Sequence, residues 1–396
     1  MRVFCFSTAV PGPAFGLQVF RREMSSVISA SHLSRVIWIH TLLIIGIGLL
    51  ALYSASFNNN VVSVSVFYDQ LFCAGLGVLL MIFLSQGDYR KFFDVAYIVY
   101  GVSVVFLVLV LVMGRQALGA TRWFSLGGFS FQPSEFSKLA IIFFLGRYFS
   151  ERRPKLTFDF SSFLPELWGD LIRPLILTGI SIALIFKQPD LGTAILVMGI
   201  FLIMLYVSGI ALRLYGALLG LMAMLMPWAW HVLKPYQKDR LLVFLDPSLD
   251  PLGAGYTITQ SKIAVGSGEL LGKGWLAGTQ NQLNFLPERH TDFIFSVIGE
   301  EWGLLGGIFL IYCYGVIIYC GFKIARHNKD AFGQLVTIGI VSILAMQVVI
   351  NIGMVMGLLP VVGITLPLIS YGRTSFMVFA ILIGFLLNLS QKRTIF

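Results

Sequence analysis

The chain has 396 residues, of which 57% are hydrophobic and 12% charged, about half the charged fraction of an ordinary soluble domain. That much apolar surface excludes a water-soluble fold. The formal charge of +9 does not point to nucleic acid, because the basic residues stand at the ends of apolar runs rather than on one hydrophilic face.

Residues 1–34 read as an N-terminal cytoplasmic extension, expected to be disordered, and residues 35–396 as a single transmembrane domain. In the extension a mildly apolar stretch precedes Arg21, Arg22 and Glu23, the reverse of a cleavable signal peptide. Met24 is an alternative start. Beyond it, apolar runs of about 20 residues, each able to cross about 30 Å of hydrocarbon as a helix, predict spans at 36–56, 66–84, 93–113, 135–149, 171–186, 191–207, 214–233, 291–320, 335–356 and 375–389. The fold class expected is all-α: a polytopic integral membrane protein of about ten transmembrane helices, with a large extracytoplasmic loop between helices 7 and 8. Basic clusters at Arg90 and Lys91, at Arg147, Arg152, Arg153 and Lys155, at Lys323, Arg326 and Lys329, and at Lys392 and Arg393 all suit the cytoplasmic side. Both termini are then cytoplasmic, and segments 114–134, 187–190, 234–290 and 357–374 lie outside. Within the long loop, residues 256–265 keep apolar side chains at helical spacing and are expected to lie along the lipid surface. No internal repeat or nucleotide-binding loop is evident, which weighs against an inverted-repeat transporter and an ATP-driven pump. Cys5 lies near the start, Cys73, Cys313 and Cys320 fall inside apolar runs, and none has metal-ligand or disulfide spacing.

Polar groups gather at the outer ends of these spans. His290, Thr291 and Asp292 follow Pro287, Glu288 and Arg289 at the start of the eighth. A carboxylate at the membrane edge can accept a proton, and partial burial raises its pKa. Thr and Asp near a helix start equally suit a cap, where the helix dipole lowers the pKa. A base there needs desolvation or a neighbouring carboxylate, for which Glu288, Glu300 and Glu301 are candidates. At the mouth of the fourth span, Glu135 and Lys138 stand three apart and can neutralise one another. Alternatively Arg122 and Lys138 supply positive potential for a diphosphate while Glu135 orients Lys138. Pro189 and Asp190 suit a tight return with a capping residue, beside Lys187. Lys234, Lys238 and Arg240 suit lipid headgroups or a substrate. Pro360, Gly363, Pro367 and Gly372 interrupt an apolar run, which implies broken backbone at membrane depth lining a cavity.

From Ser34 to the end, these motifs resemble the SEDS family of bacterial cell-wall polymerases. The run from Gly278 to His290 and the pair Val361 and Val362 resemble its RodA-like elongation branch rather than its FtsW division branch. The resemblance implies a peptidoglycan glycosyltransferase that polymerises lipid II, the undecaprenyl diphosphate-linked disaccharide peptide, at the outer face of the inner membrane during elongation. It implies Asp292 as the catalytic residue and Arg122, Glu135 and Lys138 as further sensitive positions. The substrate-binding set expected on this reading is Arg122, Trp123, Glu135, Lys138, Lys187, Arg240, Gln282, Glu288, His290, Ser370 and Tyr371. No cofactor is assigned; a divalent cation, Mg or Mn, would assist the leaving diphosphate, but the sequence shows no metal-ligand pattern. The partners implied are a class B penicillin-binding protein transpeptidase, other elongation-complex membrane proteins and lipid II, with no nucleic acid. Rival functions are a lipid-linked precursor flippase and a non-catalytic scaffold. One departure stands out: where the family usually follows Ser370, Tyr371 and Gly372 with a second glycine, this chain has Arg373, which would contact a phosphate or block a close backbone approach.

Overall fold

The computed structural model describes residues 13–57, 61–117, 120–126, 129–152, 167–251 and 253–391. It is an all-α membrane bundle. Helices α1 (Pro13–Ser56), α2 (Val61–Gln86) and α3 (Arg90–Met113) lead into a small antiparallel sheet of β1 (Arg115–Ala117), β2 (Ala120–Leu126) and β3 (Phe129–Phe131). Then come α4 (Pro133–Glu151), α5 (Arg173–Lys187), α6 (Leu191–Val207) and α7 (Leu212–Val232). The long connection folds into α8 (Pro235–Leu245) and α9 (Ala254–Ser267), and the chain ends in α10 (Ile294–His327), α11 (Ala331–Val355) and α12 (Arg373–Gln391). Each of the ten expected spans falls on one of these helices, α8 and α9 being the additional ones. Seven described helices are long and apolar enough to cross a membrane; α4, α6 and α7 complete the set as shorter or more polar members of the same bundle. Helix α1 runs without interruption across the expected boundary at residue 34, while residues 1–12 lie outside the described part.

Burial sorts the helices into centre and wall. The apolar stretches of α11 and α12 are 78% and 83% buried against protein, those of α2 and α3 only 28%, so the former are the core and the latter the outer wall. Small residues allow close crossing where α2 meets α12. A Cβ on Gly77 would stand 2.7 Å from the Phe376 ring, and one on Gly384 3.2 Å from the Met81 backbone. Deep in this core the Glu135 carboxylate meets the Lys138 ammonium at 2.8 Å, one turn apart on α4. Lys138 Nζ also donates to Gln347 Oε1 at 3.0 Å and sits 5.5 Å from the centre of the Phe379 ring.

Helix α9, whose apolar spacing suggested the lipid surface, buries one face against protein and leaves Ile263 exposed. It packs against α10, with Ser261 fully buried and its hydroxyl 2.7 Å from the Val355 carbonyl and 2.9 Å from Ser296 Oγ. Helical apolar periodicity marks a buried face without saying whether lipid or protein covers it. The chain after α9 reaches Gly303, where α10 breaks: Gly303 has φ +65, and the amides of Leu304 and Leu305 donate to the carbonyls of Glu269 and Leu270 at 2.9 and 3.2 Å. The docked loop thus satisfies backbone groups freed by the kink, which irregular structure at this depth requires.

Candidate active site

The tight return between α5 and α6 builds one wall of the site. Asp190 caps α6, accepting from the Thr193 amide at 3.3 Å and hydroxyl at 3.0 Å, and it also accepts from Ser134 Oγ at 2.9 Å and Gln132 Nε2 at 3.2 Å. Fully engaged, it holds the turn. The carbonyls of Gln188 and Pro189 accept from the Arg122 guanidinium, which fixes this β2 side chain, and the Tyr236 hydroxyl donates to the Pro189 carbonyl at 3.0 Å. Helix α8 carries Tyr236 together with Arg240, whose Nη1 reaches the Val361 carbonyl at 3.5 Å. Between them opens a small cleft lined by Arg122, Pro189, Tyr236, Arg240, Val361 and Val362 among others. The broken segment after α11 therefore does line a cavity.

Asp292 does not itself line this cleft but lies beside it, across Gly363 from Arg240. Gly363, with φ +73, is the adjoining surface: a Cβ there would lie 3.5 Å from Asp292 Oδ2 and 3.7 Å from Arg240 Nη1. Glycine both permits the left-handed backbone and leaves the space between carboxylate and guanidinium open. The residue flanking α10 is Phe293 and no side chain caps it; the Asp292 carboxylate has no hydrogen-bond partner among the described residues. Capping is thereby removed as the reason for this acid. Burial raises the Asp292 carboxyl to about 6, with Glu288 adding to the rise and Asp190 slightly, while Arg240 and Arg122 oppose it. Glu300 and Glu301 serve elsewhere. Glu300 pairs with Lys273 at 2.7 Å, and Glu301 accepts from the Ser54 hydroxyl and from Asn281 Nδ2.

Of the residues singled out in the sequence, Arg122 and Arg240 meet in the cleft, and Glu288 faces Asp292 electrostatically from its exposed position with φ +51. Trp123 is half-buried on β2, its backbone paired with Arg115. Glu135 and Lys138 are sealed in the core rather than open to the cleft. Lys187 is exposed at the end of α5 and is not part of the cleft lining. Gln282 donates to the Leu276 carbonyl at 3.3 Å. The His290 and Tyr371 rings meet edge-on at 6.2 Å. Ser370 is buried, donating to the Thr291 carbonyl at 2.6 Å and accepting from the Leu366 amide at 2.7 Å. Arg373 pairs with Asp69 of α2. The cleft residues not anticipated are Tyr236, Gln237 and Leu241; α8 is a short helix inside a long loop and gave no periodic signal beyond its basic residues. Among the described residues no group of three or more His, Cys, Asp or Glu could hold a metal ion.

The family of cell cycle proteins comprising FtsW, RodA and SpoVE matches residues 34–395. The peptidoglycan glycosyltransferase MrdB of Escherichia coli (strain K12) is 41% identical over 327 residues, covering 80% of this chain and 84% of that protein. A chain from a solved peptidoglycan synthase complex, in which polymerization and crosslinking are structurally coordinated, superposes with a TM-score of 0.74 at 33% identity, covering 89% of this chain and 96% of its own. The rod shape determining protein RodA of Thermus thermophilus superposes with a TM-score of 0.65 at 30% identity, covering 89% and 95%.

Proposed function

We propose, from the premise that this chain belongs to the FtsW/RodA/SpoVE family, that it is a peptidoglycan glycosyltransferase which polymerises lipid II by inverting glycosyl transfer during cell elongation. The observation that carries the chemistry is the Asp292 carboxylate, without a hydrogen-bond partner among the described residues and raised to about 6, beside a cleft holding Arg122 and Arg240. On this reading Asp292 takes the proton from an acceptor sugar hydroxyl as that oxygen bonds to the anomeric carbon of the donor. The bond from that carbon to the diphosphate breaks, and undecaprenyl diphosphate leaves with the electron pair. On this reading the two guanidinium groups stabilise the charge that develops on the leaving group.

The residue set does not suit a divalent cation: the carboxylates that act on Asp292 are Glu288, across an exposed turn, and Asp190, whose oxygens are already committed. The positive-inside pattern supports both termini in the cytoplasm and the cleft on the outer face of the inner membrane, where lipid-borne disaccharide is consumed. The solved synthase complex among the structural neighbours supports a class B penicillin-binding protein as partner.

The test is polymerisation of labelled lipid II by the purified full chain with that transpeptidase. Wild-type protein lengthens glycan strands, and Asp292→Asn abolishes the product while the protein stays folded and partner-bound. An undiminished Asp292→Asn polymerase would remove the base from the mechanism. A flippase would instead move labelled lipid across liposomes and yield no polymer.

A further inference from the structure

A base with no hydrogen bond to its carboxylate must be aimed by its backbone, and the backbone around Asp292 is gripped at successive residues. The His290 carbonyl accepts from the Tyr371 amide at 2.8 Å, the Thr291 carbonyl from Ser370 Oγ at 2.6 Å, and the Asp292 carbonyl from Asn351 Nδ2 at 2.9 Å. Asn351 differs from the other two donors in its origin. It lies on α11, the rigid core helix, whereas Tyr371 and Ser370 belong to the irregular segment before α12.

Asn351 is fully buried in a membrane helix, and its amide protons go to two places: the Asp292 carbonyl and the Ile364 carbonyl at 2.6 Å. It therefore ties together the segment bearing the carboxylate and the segment whose neighbouring Gly363 forms the surface beside that carboxylate. Its own Oδ1 has no partner although buried. A buried orphan acceptor is destabilising, so what this residue contributes is its pair of donors. A polar side chain in a membrane helix often serves only to satisfy irregular backbone nearby, and that plain structural role predicts lost folding without altered chemistry.

We propose that Asn351 is a positioning residue for the glycosyl-transfer base, holding the Asp292 carboxylate in register with Gly363 and Arg240 through the Asp292 main chain. This rests on the polymerase reading above. The charged groups facing Asp292 are Glu288 from its own turn, Arg240 from α8, Arg122 from β2 and Asp190 from the turn before α6; α11 presents the neutral Asn351. Replacing Asn351 with leucine changes no charge in this set. Any change in how Asp292 titrates then reports its geometry and hydration alone.

The experiment measures the rate of labelled lipid II polymerisation against pH for wild type, Asn351→Leu and the milder Asn351→Ser, each normalised to folded protein in nanodiscs. Asn351→Leu is expected to lower kcat by about tenfold or more, as displacement of a catalytic group by a fraction of an ångström does, with KM for lipid II within about twofold of wild type. Its acid limb moves to lower pH, because a loosened Asp292 gains water and loses the desolvation that raises it. Asn351→Ser, which keeps one donor, falls between. The proposal is overturned if the variants, per folded molecule, keep the wild-type kcat and acid limb. If wild-type protein itself makes no glycan from lipid II, the polymerase reading fails and takes this role with it; polymerising wild type with unshifted variants removes Asn351 alone.

Discussion

Replacing Asp292 with asparagine should destroy activity and, at the same time, make the protein more stable at neutral pH. The free carboxyl value of 3.8 is raised to about 6 in the fold, with burial as the first cause. At about 1.4 kcal/mol per tenfold change in proton affinity, ionised Asp292 costs the folded state about 3 kcal/mol, or about 2 kcal/mol after allowing for solvent screening of a half-buried residue. The sign follows from proton binding. Between pH 3.8 and about 6 the folded protein binds the Asp292 proton more tightly than the unfolded chain does, so stability falls as pH rises through this window and is lowest above it. Asparagine mimics the protonated acid at every pH. In thermal melts of detergent-solubilised protein, Asp292→Asn should therefore melt a few degrees above wild type at pH 8, taking about 2 °C per kcal/mol for a chain of this size. The gap should close at pH 4. A variant melting at or below wild type at pH 8 would refute the reasoning, and would return Asp292 to the role of a stabilising helix cap.

The Glu135 and Lys138 pair gives the opposite expectation. Lys138→Met strands a buried carboxylate and should lower folded yield by an amount corresponding to about 3–5 kcal/mol, whereas the double replacement Glu135→Leu with Lys138→Met recovers much of it; size-exclusion yield of folded protein reads both. A double variant that folds well yet fails to bind lipid II would show that Lys138 also reaches the substrate. At the break in α10, Gly303→Val places a branched side chain at φ +65, with its Cβ 2.4 Å from the Gly272 amide nitrogen. It should cost several kcal/mol and expel the loop after α9, seen as new protease cleavage near Lys273 in reconstituted protein; unchanged protection would mean the loop docks independently of the kink.

Hydropathy made the spans legible because a bilayer demands uninterrupted apolar length, and that demand is written locally in the chain. The small sheet at residues 115–131 was not legible, since its strands run only three to seven residues, too short to carry a periodic signal. Spacing showed that Glu135 and Lys138 face one another but not that α11 and α12 close over them. The period of residues 256–265 showed a helix with a buried face but not that α10 covers it; the small residues Gly268 and Gly299, which let α9 and α10 approach, were the available signal. Asn351 and Gln347 were readable as polar groups inside an apolar run, the kind of residue a membrane helix keeps for a reason. Arg373 is placed by a residue distant in sequence, Asp69, and its pairing answers neither phosphate contact nor steric blocking.

The two arginines beside Asp292 act on it in a direction that substrate reverses. In the free protein Arg240 and Arg122 restrain the rise that burial and Glu288 impose, leaving a carboxylate that is mostly ionised at neutral pH yet more basic than a free one. On the proposed mechanism, a diphosphate bound to those guanidinium groups would neutralise their field at Asp292 and add negative charge of its own, so the proton affinity of the base would climb with the donor in place. The acid limb of kcat, which reports the complex, should consequently lie at higher pH than the acid limb of kcat/KM, which reports the free enzyme. Arg240→Met removes part of the restraint beforehand, so it should raise the limb of kcat/KM and narrow the gap between the two. Coincident limbs in the wild type, with no response to Arg240→Met, would mean that the diphosphate sits away from these arginines and that the cleft serves another part of the substrate.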